Sequence, residues 1–140
     1  MKSFPDFDHS LLGTDFDLGH VEITRQMLDT YCEAVGDAEA AATDAAPITL
    51  PTILIVPSEF PGIGLKHSGS HVLATWRLES HKRIYVDDTI AISMRLENVY
   101  AKTGRSGTMV FVVWSVNFSN QHGETVALGR KSFITRPVAD

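Results

Sequence analysis

The chain has 140 residues, of which 44% are hydrophobic and 21% are charged, and its net charge is −5 at pH 7. A globular chain of this length can bury a core without metal or disulfide support. The single cysteine, Cys32, excludes a disulfide framework and a cysteine-only zinc site. The negative charge argues against a nucleic-acid-binding face, which needs clustered Lys and Arg.

The chain shows no sign of a second domain or of a membrane segment. It contains no internal repeat, charge block or low-complexity linker. No apolar run approaches the ~18 residues of a membrane span, and the first residues lack the apolar region of a signal peptide. We expect a single domain over residues 1–140, located in the cytoplasm, with neither a membrane nor nucleic acid as a partner.

One amphipathic helix is predicted over Ile23–Val35. Thr24 is a suitable N-cap, and Gly36 is a suitable terminator at the other end. The apolar residues that recur at helical spacing are Met27, Leu28, Tyr31, Cys32 and Val35. Because Cys32 lies in this stripe, we interpret it as a small buried core residue rather than a nucleophile.

Two segments that follow this helix are ambiguous. The alanine-rich stretch Ala38–Ala46 is either a helical extension or a flap. The run Leu50–Phe60 is almost uniformly apolar, so it is either a buried strand or a buried helix. Pro51 suits the first turn of a helix, and Pro57 would end or kink one.

The second half of the chain predicts four long strands. They are rich in Val, Ile, Thr and aromatic residues and are separated by turn-forming residues. Their predicted bounds are Val72–Leu78, Thr89–Tyr100, Thr108–Phe118 and Glu124–Arg136. The short breaks predict an antiparallel meander. The fold class is therefore α+β, with the sheet around the apolar segment.

Several short strings occur in a characteristic order. They are Leu12-Gly13 before Val21-Glu22-Ile23-Thr24, the run from Tyr31 to Asp37, Ala46-Pro47-Ile48-Thr49, His81-Lys82-Arg83-Ile84 before Asp87-Asp88-Thr89, the run from Tyr100 to Gly107, and the run from Asn120 to Glu124. Together they resemble the MaoC-like hydratase/dehydratase family, and most closely the N-terminal half of its double hot-dog members. The resemblance implies a single hot-dog domain, in which an antiparallel sheet wraps around a central apolar helix.

The resemblance also implies a substrate class and a reaction. The substrates are acyl chains carried as thioesters on coenzyme A or acyl carrier protein, and the reaction is the reversible addition of water to a 2-enoyl thioester. Coenzyme A or phosphopantetheine then enters as part of the substrate, and no separate cofactor or metal is implied. The expected partner is a second hot-dog domain, in a homodimer or a heterodimer, with the sites between the two sheets.

The family's acid–base dyad is an Asp in a Gly-Asp pair and a His five residues later. Histidine suits this work because its pKa lies near neutral pH. Here Gly36-Asp37 matches the first half of the dyad, but the His position holds Ala42, which cannot transfer a proton. Asp37 is therefore either a catalytic group that works with a substitute partner or a solvated capping residue.

Other residues could substitute for the missing imidazole or bind the carrier. Glu59 is a candidate because hot-dog thioesterases use a carboxylate on or beside the central helix. His67 and His71 flank a turn near the end of that helix, whereas His81 lies in a polar string. The candidate phosphate-binding residues, which are otherwise ordinary surface charges, are Lys102, Arg105, Arg130 and Lys131.

Three hypotheses follow. The chain is a hydratase or dehydratase that uses Asp37 and a substitute base, or it is a non-catalytic subunit that pairs with a catalytic hot-dog chain. The third hypothesis is a different reaction on the same scaffold, either thioester hydrolysis or addition of another nucleophile, with Glu59 or His67 as base. Ala42 directly favours the second hypothesis. The first two hypotheses are preferred over the third.

Overall fold

A five-stranded antiparallel sheet forms most of the protein. The computed structural model describes residues 5–55 and 60–137, with the backbone alone for residues 67–70. The strands are β1 (Asp15–Glu22), β2 (His67–Ser80), β3 (Thr89–Gly104), β4 (Gly107–Ser119) and β5 (Thr125–Pro137). Their order is β1-β3-β4-β5-β2, which makes β1 and β2 the two edges. This architecture, with few helices, confirms the predicted α+β class.

The predicted four-stranded meander is correct only for β3, β4 and β5. Strand β2 pairs with β5 rather than with β3, which follows it in the chain. The physical reason is the connection between β2 and β3, which is not a tight turn. It runs past the alanine-rich segment, where Tyr85 bridges Ala45 and the Ala46 amide donates to the Ile84 carbonyl at 2.7 Å.

Strand β1 was not predicted from the sequence. Its apolar residues alternate with acidic ones, and Gly19, at φ +86°, interrupts the strand. The register with β3 shifts between Asp17 and His20, as a β-bulge requires. Short, acidic and glycine-containing strands carry a weak β signal, because their pairing rather than their composition stabilises them.

The predicted helix is present as α1 (Arg25–Val35). Thr24 is its N-cap, since the Thr24 hydroxyl accepts a hydrogen bond from the Met27 amide at 3.1 Å. Gly36 ends the helix in the left-handed conformation, at φ 73°. Leu28 and Cys32 are buried, whereas Val35 at the end of the stripe is half exposed.

The alanine-rich stretch begins as a short helix, α2 (Ala38–Ala41). The apolar segment begins with a 3-10 helix over Leu50–Ile53 that has Pro51 in its first turn, whereas Pro57 lies outside the described residues. Leu50 is fully buried, and Leu54 and Ile55 continue the segment into the core. The described counterpart of the expected central helix is thus one short turn.

The core lies between these segments and one face of the sheet, which we call the inner face. On β4 this face carries Val110, Val112, Trp114, Val116 and Phe118, all buried. Strand β4 is also covered on its other face at Val113, which explains its nearly uniform apolar sequence. No helix in the described ranges has the length and apolar character needed to cross a membrane.

Candidate functional site

The Gly-Asp pair lies between the two helices. The Asp37 amide donates to the Cys32 carbonyl at 2.9 Å, and Asp37 Oδ1 accepts from the Ala40 amide, also at 2.9 Å. Asp37 is therefore the N-cap of α2, a position at which a carboxylate satisfies a free helical N–H. Ala42 is the C-cap of the same helix and is exposed. The carboxylate thus has a structural partner, and the position of the family's histidine carries only a methyl group.

The thiol next to this pair is free and buried. Burial raises the pKa of Cys32, and the charges of Asp37 and Asp29 raise it further. Because Cys32 is 1% exposed, the thiolate form required of a nucleophile is disfavoured. The prediction that Cys32 is a buried core residue is confirmed.

The structure describes the other candidate bases only in part. Glu59 lies outside the described residues, and His67 begins β2 opposite Pro137 in strand β5. His81 Nε2 lies 3.5 Å from Glu79 Oε1 just after β2, and both side chains are exposed. Among the candidate bases with a described side chain, His71 lies in a cavity wall and His81 does not.

That cavity lies between the inner face and the loop that leads into β2. Its volume is about 280 Å³, close to the lower end of the 300–1,000 Å³ that is usual for small-ligand sites. The residues that line it are Phe60, Pro61, Gly62, Ile63, Gly64, Leu65, His71, Val112, Trp114 and Phe133. The wall is mostly apolar, which suits the hydrocarbon part of a ligand.

Aromatic rings hold this wall together. The Phe60 ring packs edge-on against Phe133 at 5.1 Å and against Trp114 at 5.9 Å between centroids. The His71 ring lies 6.3 Å from Phe133 and is the titratable group of the wall. Sequence reasoning missed the cavity, although the unbroken apolar run of β4 and the Phe60–Leu65 loop were its available signals.

The four candidate cations do not converge on one site. Lys102 lies near the β3–β4 hairpin with its Nζ over the Tyr100 and Phe111 rings, and Arg105 is exposed in the turn of the same hairpin. Arg130 is exposed in the middle of β5, opposite Arg77 of β2. The pairing of β5 with β4 and β2 places Arg130 and Lys131 in the middle of the strand, away from the β3–β4 hairpin.

Lys131 has a different environment from the other three cations. It is 7% exposed, and its Nζ lies 4.6 Å from the Trp76 ring centroid and 5.7 Å from that of Phe60. Burial lowers the pKa of its ammonium group, because the charged form loses hydration. Lys131 is therefore a mostly buried cation beside the cavity, whereas the other three candidates are exposed.

No group of three or more His, Cys, Asp or Glu in the described part of the chain could hold a metal ion. The polar groups near the cavity are thus individual donors and titratable side chains. This arrangement can bind a mostly apolar ligand with a polar group, and it offers His71 as a proton-transfer group.

Comparison with known proteins gives a family and a fold. The model of the family described as "FAS1-like, dehydratase domain region" matches residues 10–128. A search of curated proteins gave no significant sequence match.

Solved structures match over nearly the whole chain. A MaoC-like dehydratase aligns with 92% of this chain at TM-score 0.73 and 18% identity, and this chain spans only 43% of its length. The HadBC (3R-hydroxyacyl-ACP dehydratase) complex from Mycobacterium tuberculosis aligns at TM-score 0.67 and 19% identity, covering 91% of this chain and 98% of that one. R-hydratase PhaJ1 from Pseudomonas aeruginosa aligns at TM-score 0.68 and 17% identity, covering 91% and 83%. These likenesses show the hot-dog fold expected from the sequence.

Proposed function

Because this chain belongs to the FAS1-like dehydratase-domain family, we propose that it is the acyl-binding, non-catalytic half of a thioester hydratase or dehydratase. The reaction is the reversible addition of water to a 2-enoyl thioester carried on coenzyme A or acyl carrier protein. The acid–base dyad belongs to a second hot-dog domain in another chain. A cytoplasmic location stays a prediction from the sequence.

One observation carries this proposal. Asp37 is engaged as the N-cap of α2, and Ala42 occupies the position of the family's proton-transferring histidine. Hydration needs one group that takes a proton from water and another that protonates the α carbon. A methyl group can do neither, so this chain lacks half of that chemistry at the matching positions.

The cavity supports a binding role. Its apolar wall suits an acyl chain, and its volume of about 280 Å³ suits a short one. A side chain that fills the cavity is therefore expected to weaken binding of the acyl thioester. Val112→Phe adds a ring to the wall, whereas Val35→Phe adds the same ring at a half-exposed position on α1 and serves as the control.

The free edge of β2 supports a hot-dog partner. This strand has 14 residues, and Val72 and Leu73 on it are 62% and 51% exposed. Exposed apolar side chains on a long edge strand are an aggregation hazard unless another chain covers them. Among the similar structures, HadBC is a complex of hot-dog dehydratase chains, which is the kind of assembly that we propose here.

The experiment measures binding and turnover separately. Crotonyl-CoA binding is followed by calorimetry, and its hydration is followed by the loss of enoyl absorbance. We expect binding that Val112→Phe weakens at least tenfold and Val35→Phe leaves unchanged, without hydration by the chain alone. Absence of crotonyl-CoA binding by the wild-type chain would contradict the proposal.

His71 favours a second candidate function. Its imidazole lies in the cavity wall, where it could act as the base for hydration or for hydrolysis of a thioester. Under this alternative, the purified chain turns over crotonyl-CoA or releases free thiol from butyryl-CoA, and His71→Gln abolishes that activity. If the chain alone shows neither activity, the alternative is rejected.

A further inference from the structure

A buried cation lies beside the cavity. Lys131 is paired across the sheet with Trp114 of β4 on one side and with Trp76 of β2 on the other. Residues directly opposite each other in adjacent strands point to the same face, so Lys131 lies on the inner face with Trp114. Two residues further along β5, on the same face, Phe133 forms part of the cavity wall. The Phe60 ring connects the two features, because it lines the cavity and faces the ammonium group.

Among the described residues, this ammonium has aromatic neighbours but no hydrogen-bond acceptor. The Trp76 and Phe60 faces stabilise a cation electrostatically, yet they do not replace the oxygen atoms that its three N–H donors would have in water. Within residues 5–55 and 60–137, Nζ makes no hydrogen bond or ion pair. Buried charges are normally paired, because an isolated one is costly to desolvate. Among the described residues, no carboxylate serves as a counter-ion for Lys131.

A second donor in the same place is also unsatisfied. Trp76 Nε1 is buried and has no hydrogen-bond partner among the described residues. A buried indole N–H usually finds an acceptor. Trp76 is held closely in position, because its ring covers Gly129 so tightly that a Cβ there would lie 2.5 Å from Trp76 Cη2. The unpaired ammonium and the unpaired indole N–H thus belong to one fixed pair of side chains.

We propose that Lys131 binds the terminal carboxylate of a dicarboxylic acyl group whose apolar part occupies the cavity beside Phe60 and Phe133. A carboxylate supplies both the negative charge that Lys131 lacks and oxygen acceptors for its N–H donors. A hydroxyl or a ketone supplies acceptors alone and leaves the charge uncompensated. This inference rests on the proposed thioester function and deepens it by assigning the class of acyl group.

The test compares two thioesters that differ at one end. Succinyl-CoA and butyryl-CoA both carry four-carbon acyl groups, and only the succinyl group ends in a carboxylate. We expect calorimetry on the wild-type chain to show at least tenfold tighter binding of succinyl-CoA. Equal affinities, or a preference for butyryl-CoA, would overturn the proposal.

Variants then assign the preference to one side chain. Lys131→Met keeps the length of the stem and removes the charge, so we expect it to lose the preference and to bind butyryl-CoA normally. Arg130→Met removes the neighbouring exposed cation and should retain the preference. Lys131→Met should also fold at least as stably as wild type, because apolar replacement of a buried charge is often neutral or stabilising. A preference that survives in Lys131→Met contradicts the assignment.

A measurement on the wild-type chain covers the case in which thioesters do not bind. The Lys131 side-chain NMR signal, assigned by its loss in Lys131→Arg, is followed during titration with free glutarate, with sodium chloride at equal ionic strength as the control. A shift with glutarate but without succinyl-CoA binding would support the anion site and reject the thioester function. A signal that moves with neither glutarate nor succinyl-CoA rejects the anion site.

Discussion

Asp37 Oδ1 accepts a hydrogen bond from the Ala40 amide at 2.9 Å, so the residue that matches the family's catalytic aspartate caps a four-residue helix. Asparagine caps a helix as well as aspartate does, whereas alanine does not. We expect Asp37→Asn to unfold in urea like wild type and Asp37→Ala to lose about 1 kcal/mol of stability. Equal stability of all three proteins would show that the cap has no energetic role.

The hydroxyl of Thr135 is buried, with no hydrogen-bond partner in the described residues. An unsatisfied buried polar group costs stability, and valine has nearly the same shape. We therefore predict that Thr135→Val raises the free energy of unfolding by about 1 kcal/mol. Thr75→Val is the control, because the Thr75 hydroxyl lies 2.6 Å from that of Ser132 and its removal breaks a hydrogen bond. This control should lower stability, and a gain in both variants would contradict the explanation.

Gly129 leaves room for the ring of Trp76. A Cβ at this position would lie 2.5 Å from Trp76 Cη2, so alanine forces the indole away from its place beside Lys131. We predict that Gly129→Ala lowers the free energy of unfolding by about 1–3 kcal/mol, as overpacking usually does. Gly104→Ala is the matched control, since nothing lies within 4 Å of the added carbon. A shift of the tryptophan emission in Gly129→Ala but not in Gly104→Ala would report the displacement of the Trp76 ring, and identical spectra and stabilities would refute it.

Asp15 and Arg95 form an exposed ion pair that joins β1 to β3, with Arg95 Nε 2.8 Å from Asp15 Oδ1. The hydrogen bond from Arg95 lowers the pKa of Asp15 below its ordinary value, and the charge of Arg95 adds to this effect. A lowered carboxyl pKa contributes stability that is present above the unfolded pKa and is lost as the pH falls through the folded pKa.

We therefore predict that Arg95→Met raises the pKa of Asp15 toward its ordinary value, as measured by NMR titration of its carboxyl carbon. The wild-type and variant stabilities should converge when the pH falls below the folded pKa. Arg77→Met, at the opposite edge of the sheet, should leave the Asp15 titration unchanged. An unshifted titration in Arg95→Met would mean that the ion pair does not persist in solution.

Local signals predicted much of the fold. The caps of α1 at Thr24 and Gly36 and the periodicities of β3, β4 and β5 depend on neighbouring residues, so they were predictable from the sequence. The pairing of β2 with β5 and the existence of β1 depend on contacts between distant segments. No local pattern encodes such contacts. Strand β1 was therefore missed, and the pairing of β2 was predicted wrongly.

The candidate site also combines features that depend on neighbouring residues with features that depend on distant contacts. The match of Asp37 and the mismatch at Ala42 are sequence features, and their capping roles in α2 agree with one of the two interpretations offered for Asp37. Lys131 lies in the polar run Arg130-Lys131-Ser132, in which no alternation shows which side chain faces inward. Only its register with Trp114 places it on the inner face.

The most direct test of the proposed function is hydration of crotonyl-CoA by the purified chain alone, with binding measured on the same sample. We predict saturable binding and no hydration above the uncatalysed rate, because Ala42 provides no proton-transfer group and Asp37 is engaged in capping α2. Hydration by the wild-type chain that Asp37→Asn abolishes would contradict the proposal, because it would make Asp37 a catalytic residue of this chain.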